Sequence, residues 1–276
     1  VVGEDVEALV PLLTRDSIIH TYSKDNQRIA TAYLQWKRNP AMTHIELRVD
    51  EKTIREWKKG AIPRAIQCVN WLESKQFLPL YSMESRLPLI ARLSGALLGD
   101  GGLVRTGLHF TTDLDSRVDL EAFQEDLISL FGNEIKEHFT IREISSEKGK
   151  GLSLEFHSAF VYRFFHALGI PLGDKVSQSM EVPALAYISY STKKEFFSAL
   201  LSCEMTGKVT SSQDKINFVM AKIKKFEGSH RIFMNSIRNY LQENQVTTTD
   251  FKLHRSYLKK IKSEYVEAAT YTFNIH

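Results

Sequence analysis

The sequence predicts an α+β fold in which one unit, ordered helix, two strands, helix, two strands, occurs twice behind a small all-α segment. Three observations lead there. Apolar residues fall at helical spacing through the first eighty or so positions. From Leu87 the pattern changes to apolar helices separated by pairs of short alternating stretches, and that pattern restarts about a hundred residues later. The chain has 276 residues, 43% hydrophobic and 25% charged, enough apolar material for one large core or two smaller ones. Disorder, collagen and a coiled-coil rod are excluded. The predicted organisation is a helical segment over 1–86, a first repeat over 87–190, and a second repeat over 191–276 that lacks the last helix.

The helical segment is read from Val6, Leu9, Val10 and Leu13, then Ile29, Tyr33, Leu34 and Trp36, with Asn39-Pro40 as a break. Met42 to Val49 predicts a short helix. Asp50 is placed to cap the next one, whose apolar side is Thr53, Ile54 and Trp57 and which ends near Gly60. Its other side carries Lys52, Arg55, Lys58 and Lys59. With a packing helix after it (Ile66, Val69, Trp71, Leu72), the arrangement resembles a helix-turn-helix with a basic recognition helix, suited to the DNA major groove.

In the first repeat, a Pro88-initiated helix runs to Asp100. A hairpin follows, Leu103 to Arg105 and Leu108 to Thr111 around a Thr106-Gly107 turn. Leu120, Phe123, Leu127 and Leu130 mark a second helix ending at Gly132. Strands are predicted over His138–Ile144 and Leu152–His157, with Ser145 to Gly151 as the turn, and then a helix over Ala159–Leu168 whose Tyr162, Phe164 and Phe165 are core. The second repeat has a helix over Lys194–Glu204, a hairpin from Lys208–Ser211 and Lys215–Ile223, a helix over Arg231–Leu241, and strands near Phe251–Leu258 and Ala268–Ile275.

The two helices that open the repeats hold the candidate chemistry. Leu93 to Gly101 and Phe197 to Met205 can be laid over one another, with small residues four apart in each (Gly95 and Gly99; Ala199 and Cys203) and a carboxylate at each end (Asp100 and Glu204). Small residues at that spacing let two helices approach closely, and their acidic ends would then meet. Two adjacent carboxylates call for a cation, with Mg²⁺ the natural occupant. An ion there would activate water and stabilise an in-line phosphodiester displacement.

Leu93-Ser94-Gly95-Ala96-Leu97-Leu98-Gly99-Asp100-Gly101 resembles the LAGLIDADG motif of homing endonucleases and intein endonuclease domains. Leu168-Gly169-Ile170-Pro171-Leu172-Gly173-Asp174-Lys175, with Val182-Pro183 beyond it, is similar to a connection common in archaeal-type members, so the resemblance covers about residues 88–276. It implies two pseudo-symmetric αββαββα repeats whose eight strands form a saddle over double-stranded DNA. It also implies metal held at Asp100 and Glu204, the positions matching the family's acids, and cleavage of both strands by a monomer. In the second motif Ser202, Cys203 and Met205 depart from the pattern, which leaves two alternatives on the same fold. One is a DNA-binding regulator that has lost cleavage, and the other is an RNA-binding maturase.

Strand alternation assigns Leu108, Phe110, Leu152, Leu154 and Phe156 to the core. It leaves His109, Thr111, Ser153, Glu155, His157 and Arg142 on the groove face, with Arg105 beside them. In the second repeat Lys252, His254 and Ser256 alternate with Phe251, Leu253 and Tyr257, while Lys208, Lys215, Lys222, Lys224 and Lys225 decorate the hairpin. Net charge is only +3, from 36 Lys+Arg against 33 Asp+Glu, but it is unevenly divided. Residues 1–87 hold 13 basic and 11 acidic side chains, 88–192 hold 9 and 14, and 193–276 hold 14 and 8. DNA is therefore expected to be gripped by the second repeat and the helix around Lys58.

Other classes lack support. Cys68 and Cys203 are isolated, which excludes a disulfide framework or thiolate zinc site and fits a reducing cytoplasm. The nine histidines show no paired spacing, and neither a Ser/His/Asp signature nor a strand-preceded phosphate loop is present. No apolar run is long enough to span a membrane. The chain begins at Val1 and stops within an apolar/polar alternation, so a trimmed or processed segment is expected.

Overall fold

The computed structural model describes residues 11–113, 117–146, 149–206, 216–261 and 263–275, and the chain divides into two compact units, 1–84 and 85–276. The first unit is all-helical: α1 (Arg15–His20), α2 (Lys24–Arg38), α3 (His44–Leu47), α4 (Glu51–Lys58) and α5 (Arg64–Ser74). Thr14 and Ser23 cap α1 and α2 through their hydroxyls, and Thr43 forms a capping box with Glu46 on α3. Asp50 occupies the N-cap of α4 but makes no side-chain capping bond. Tyr33, Trp36 and Trp57 meet with ring centroids 5.3–5.9 Å apart, pinning α4 to α2. Leu13, expected to close the first helix, instead bridges Leu80; Val6, Leu9 and Val10 lie outside the described residues.

The second unit contains α6 (Leu87–Leu98), β1 (Gly101–Val104), β2 (Gly107–Asp113), α7 (Arg117–Phe131), β3 (Phe139–Ser146), β4 (Gly149–Phe156) and α8 (Ala159–Ala167). After a connector come α9 (Tyr190–Glu204), β5 (Met205–Thr206), β6 (Ile216–Ile223), α10 (Glu227–Glu243), β7 (Lys252–Ile261) and β8 (Glu264–Ile275). The strands form two antiparallel sheets ordered β1-β2-β4-β3 and β5-β6-β8-β7, so the same strand order, with the third strand at the edge beyond the fourth, occurs in each half.

On the first sheet Leu108, Phe110, Leu152, Leu154 and Phe156 are buried, with Phe110 stacked on Phe123 of α7 at 4.5 Å. On the second, Phe218 stacks on Phe273 at 5.2 Å, and Phe233, Met234 and Ile237 of α10 are buried with them.

Several expectations are corrected. The proposed turn from Ser145 to Gly151 is largely strand, because Ile144 pairs with Gly151 and Ser146 with Gly149; the β-branched and serine residues extend the ladder to its tip. Arg105 and Thr106, rather than Thr106 and Gly107, make the first hairpin turn, since Val104 pairs with Gly107. The helix α9 starts one turn before Lys194, where Ser189 forms a capping box with Thr192. Leu253, assigned to the core, is 57% exposed: the register of β7 shifts between Leu253 and Arg255, and this bulge breaks the alternation at His254. Ser153, assigned to the open face, is buried. The expected strand from Lys208 to Ser211 falls outside the described residues.

Candidate active site

The site is built where α6 crosses α9. A Cβ on Gly95 would stand 2.2 Å from the Phe196 carbonyl oxygen and 3.2 Å from Ala199 Cβ; on Gly99 it would stand 2.4 Å from Cys203 Cβ. Only hydrogen fits at either position, so the two backbones approach until their C-terminal ends, Asp100 and Glu204, share one environment.

Three charged groups gather there. Glu204 is half-buried, and burial, with repulsion from Asp100, pushes its carboxyl up to about 7 despite the attraction of Lys175. Asp100 reaches solvent, yet the protein packed around it still raises its carboxyl above the ordinary range. Lys175 and a hydrogen bond with the Cys203 thiol pull it back, while Asp113 pushes it up. Lys175 is desolvated, which lowers its ammonium, and Glu204 and then Asp100 oppose that shift.

The Lys175 Nζ donates to the carbonyls of Leu97 (3.3 Å), Leu98 (2.8 Å) and Gly99, covering the negative end of α6. Thr111 Oγ1 donates to the Asp100 carbonyl at 2.9 Å and fixes the chain where helix becomes strand. Burial pushes the Cys203 thiol up to about 12. Asp100 also lines a cleft of about 880 Å³ whose walls include Arg92, Asp126, Lys150, Glu195 and Ser202.

No group of three or more His, Cys, Asp or Glu side chains converges on a metal position among the described residues. Asp100 and Glu204 supply two carboxylates, a donor set that suits Mg²⁺, which is commonly held by one or two carboxylates with water and substrate phosphate completing the shell.

The other predicted residues are dispersed. Lys52, Arg55 and Lys58 are exposed on α4, and Lys59, the C-cap residue that follows it, is exposed 3.6 Å from Glu56. Arg105 is exposed at the hairpin turn. Arg142 pairs with Glu155 at 3.3 Å, and His157 reaches the same carboxylate at 3.4 Å. His109 is half-buried, and burial and Lys175 lower its pKa. Lys252 and His254 are exposed on β7, and Lys224 is exposed and paired with Glu267 at 2.9 Å.

Lys222 is a correction: it shares the phase of Phe218 and Met220, faces inward, and is 1% exposed. Lys208 and Lys215 lie outside the described residues. Sequence reasoning missed Lys175, although it closes the Gly-Ile-Pro-Leu-Gly-Asp-Lys stretch that supported the resemblance.

No family model matches the chain. It is 31% identical over 197 residues to the DNA-directed RNA polymerase subunit Rpo1N of Methanocaldococcus jannaschii, a match covering 63% of this chain and 14% of that one. It is also 26% identical over 202 residues to the tRNA-splicing ligase RtcB of Methanopyrus kandleri (68% and 20%), and 23% identical over 224 residues to the RtcB of M. jannaschii (75% and 22%). The chain thus spans less than a quarter of the length of these curated relatives. Among solved structures it aligns with mesophilic variants of the homing endonuclease I-DmoI at a TM-score of 0.41 and 15% identity, covering 70% of this chain and 85% of that one. A structure of I-DmoI in complex with DNA and Mn aligns at 0.39 and 14%, covering 69% and 90%. No helix among the described residues is long and apolar enough to cross a membrane.

Proposed function

We propose that the chain is a metal-dependent endonuclease of LAGLIDADG type that cuts double-stranded DNA as a single molecule, its two halves related by a pseudo-twofold axis through the α6–α9 crossing. The observation that carries this reading is the pair of carboxylates, Asp100 and Glu204, brought to one place by a helix contact that tolerates no side chain at Gly95 or Gly99. The comparisons add support of another kind. An RNA polymerase subunit and an RNA ligase perform different reactions, yet each contains a minor stretch resembling more than half of this chain. A segment found in hosts of unrelated activity fits a self-contained inserted unit, as an intein endonuclease domain would be.

Asp100 and Glu204 would hold Mg²⁺ or Mn²⁺, which supplies an activated water and stabilises charge on the displaced phosphate oxygen. The chain's own residues set the rest of the electrostatics. Lys175 balances the two carboxylates and keeps them from repelling the DNA backbone. Thr111 and Cys203 fix Asp100 in place. Lys52, Arg55 and Lys58 on α4 and Lys252 and His254 on β7 provide cationic and hydrogen-bonding contacts to phosphate. The departures of the second motif at Ser202, Cys203 and Met205, taken with the exposure of those groups, favour one rival, a DNA-binding protein that does not cut.

The test is cleavage of a supercoiled plasmid carrying a site selected from genomic DNA. Linear product is expected with Mg²⁺ or Mn²⁺. Asp100→Asn is expected to lower the rate by at least 100-fold with DNA affinity retained, a loss in the range of removing one transition-state charge partner. Tight binding without any cut across divalent metals would identify the rival.

A further inference from the structure

The connector between α8 and α9 is tied to both halves of the second unit. Toward the first half, the Gly173 N–H donates to Leu103 O of β1 at 2.9 Å, and the Lys175 ammonium reaches the end of α6. Toward the second half, Lys259 of β7 pairs with Asp174 Oδ2 at 2.8 Å. Lys222 of β6 donates from Nζ to Lys175 O at 2.5 Å and to Gln178 O at 3.0 Å. The Gln178 side chain closes the loop on Leu172 O (3.0 Å) and Asp174 O (3.1 Å).

Lys222 lies at an inward position between Phe218, Met220 and the connector, 1% exposed. Methionine would fill comparable space without desolvating a charge. What the ammonium adds is two directed bonds, one of them on the carbonyl of Lys175 itself, which fixes the backbone from which the Lys175 side chain departs.

We propose that Lys222 is a positioning residue that holds Lys175 at the carboxylate pair, so that the second sheet sets the geometry of the site formed at the end of α6. The catalytic consequence rests on the endonuclease reading; the positioning of Lys175 does not. Two variants test it, Lys222→Met and Asp174→Asn, the second acting at the half-exposed pair that ties the connector to β7. Folding is checked by circular dichroism. The readouts are DNA affinity, the single-turnover cleavage rate, and the Cε–Hε NMR signal of Lys175, assigned by its loss in Lys175→Arg.

In Lys222→Met the Lys175 signal is expected to move toward that of free lysine. Affinity should stay within about twofold and the rate should fall roughly 100-fold, as for a displacement near 1 Å at a reacting centre. A folded variant whose Lys175 signal stays put, or one whose signal moves while cleavage stays at the wild-type rate, overturns the proposal. If the wild-type chain cuts no DNA the endonuclease reading fails, and the Lys175 signal alone decides whether Lys222 positions it. If Lys222→Met does not fold, Asp174→Asn decides by the same signal: movement supports the tie, and an unchanged signal sinks it.

Discussion

Cys203 shows how one residue's chemistry is set by its place in the helix crossing. Its sulfur lies where Gly99 leaves room, and burial raises the thiol to about 12, so below that pH it remains protonated and only the thiol form contacts Asp100. Alkylation of Cys203 by iodoacetamide, followed by intact-mass spectrometry, is expected to be slow at pH 8 and to go on rising with pH, about tenfold per unit, well past pH 9. A free thiol would react far faster at pH 8 and level off above its ordinary pKa near 8.5. Rapid labelling at pH 8 in the folded protein would refute that environment. At this scale the sequence was partly legible. Asp100 and Glu204 stand out because a carboxylate ends each apolar helix. Lys175 does not, because a lysine in a Gly/Pro-rich connector looks like any solvated loop charge. Lys222 carried a usable signal, the even phase it shares with Phe218 and Met220, which the surrounding run of lysines obscured.

The helix crossing belongs to the element scale, where backbone contact rather than side-chain chemistry governs the outcome. A methyl group at Gly95 meets a carbonyl oxygen that cannot swing aside, so Gly95→Ala is expected to cost about 1–3 kcal/mol in urea unfolding with an unchanged m-value. Gly228 in α10 is the control. A Cβ there meets nothing within 4 Å, and Gly228→Ala should be neutral or stabilising by up to about 1 kcal/mol. Helices were legible at this scale because each has an apolar stripe, a cap or a terminating glycine. Strand ends were less so. The tip of the β3–β4 hairpin is rich in Ser, Lys and Gly, which reads as a turn, yet pairing persists because both edges supply unhindered backbone. The bulge at His254 leaves no mark in composition, so alternation was carried through it and misplaced Leu253.

For the whole molecule, the small net charge conceals a division that follows the architecture. Both sheets fall within one compact unit, so its acidic first half and basic second half belong to a single body, while the basic face of α4 belongs to the other. If α4 neutralises DNA phosphates, replacing Lys52, Arg55 and Lys58 together by Ser in the intact chain should flatten log Kd against log salt by about 0.9 for each phosphate left without its cation. The slope is measurable by fluorescence anisotropy, and an unchanged slope would remove α4 from the interface. The twofold recurrence was legible because it spans a hundred residues of pattern; the tie through Lys222 was not, because it joins a strand to a connector far away in sequence. The crossing of α6 and α9 has one more consequence. Glycine on one side meets alanine and cysteine on the other, so two copies of α6 face to face would leave a void where the thiol sits, and two copies of α9 would set sulfur against sulfur with no space between them. The seam distinguishes left from right: at this crossing neither helix can substitute for the other.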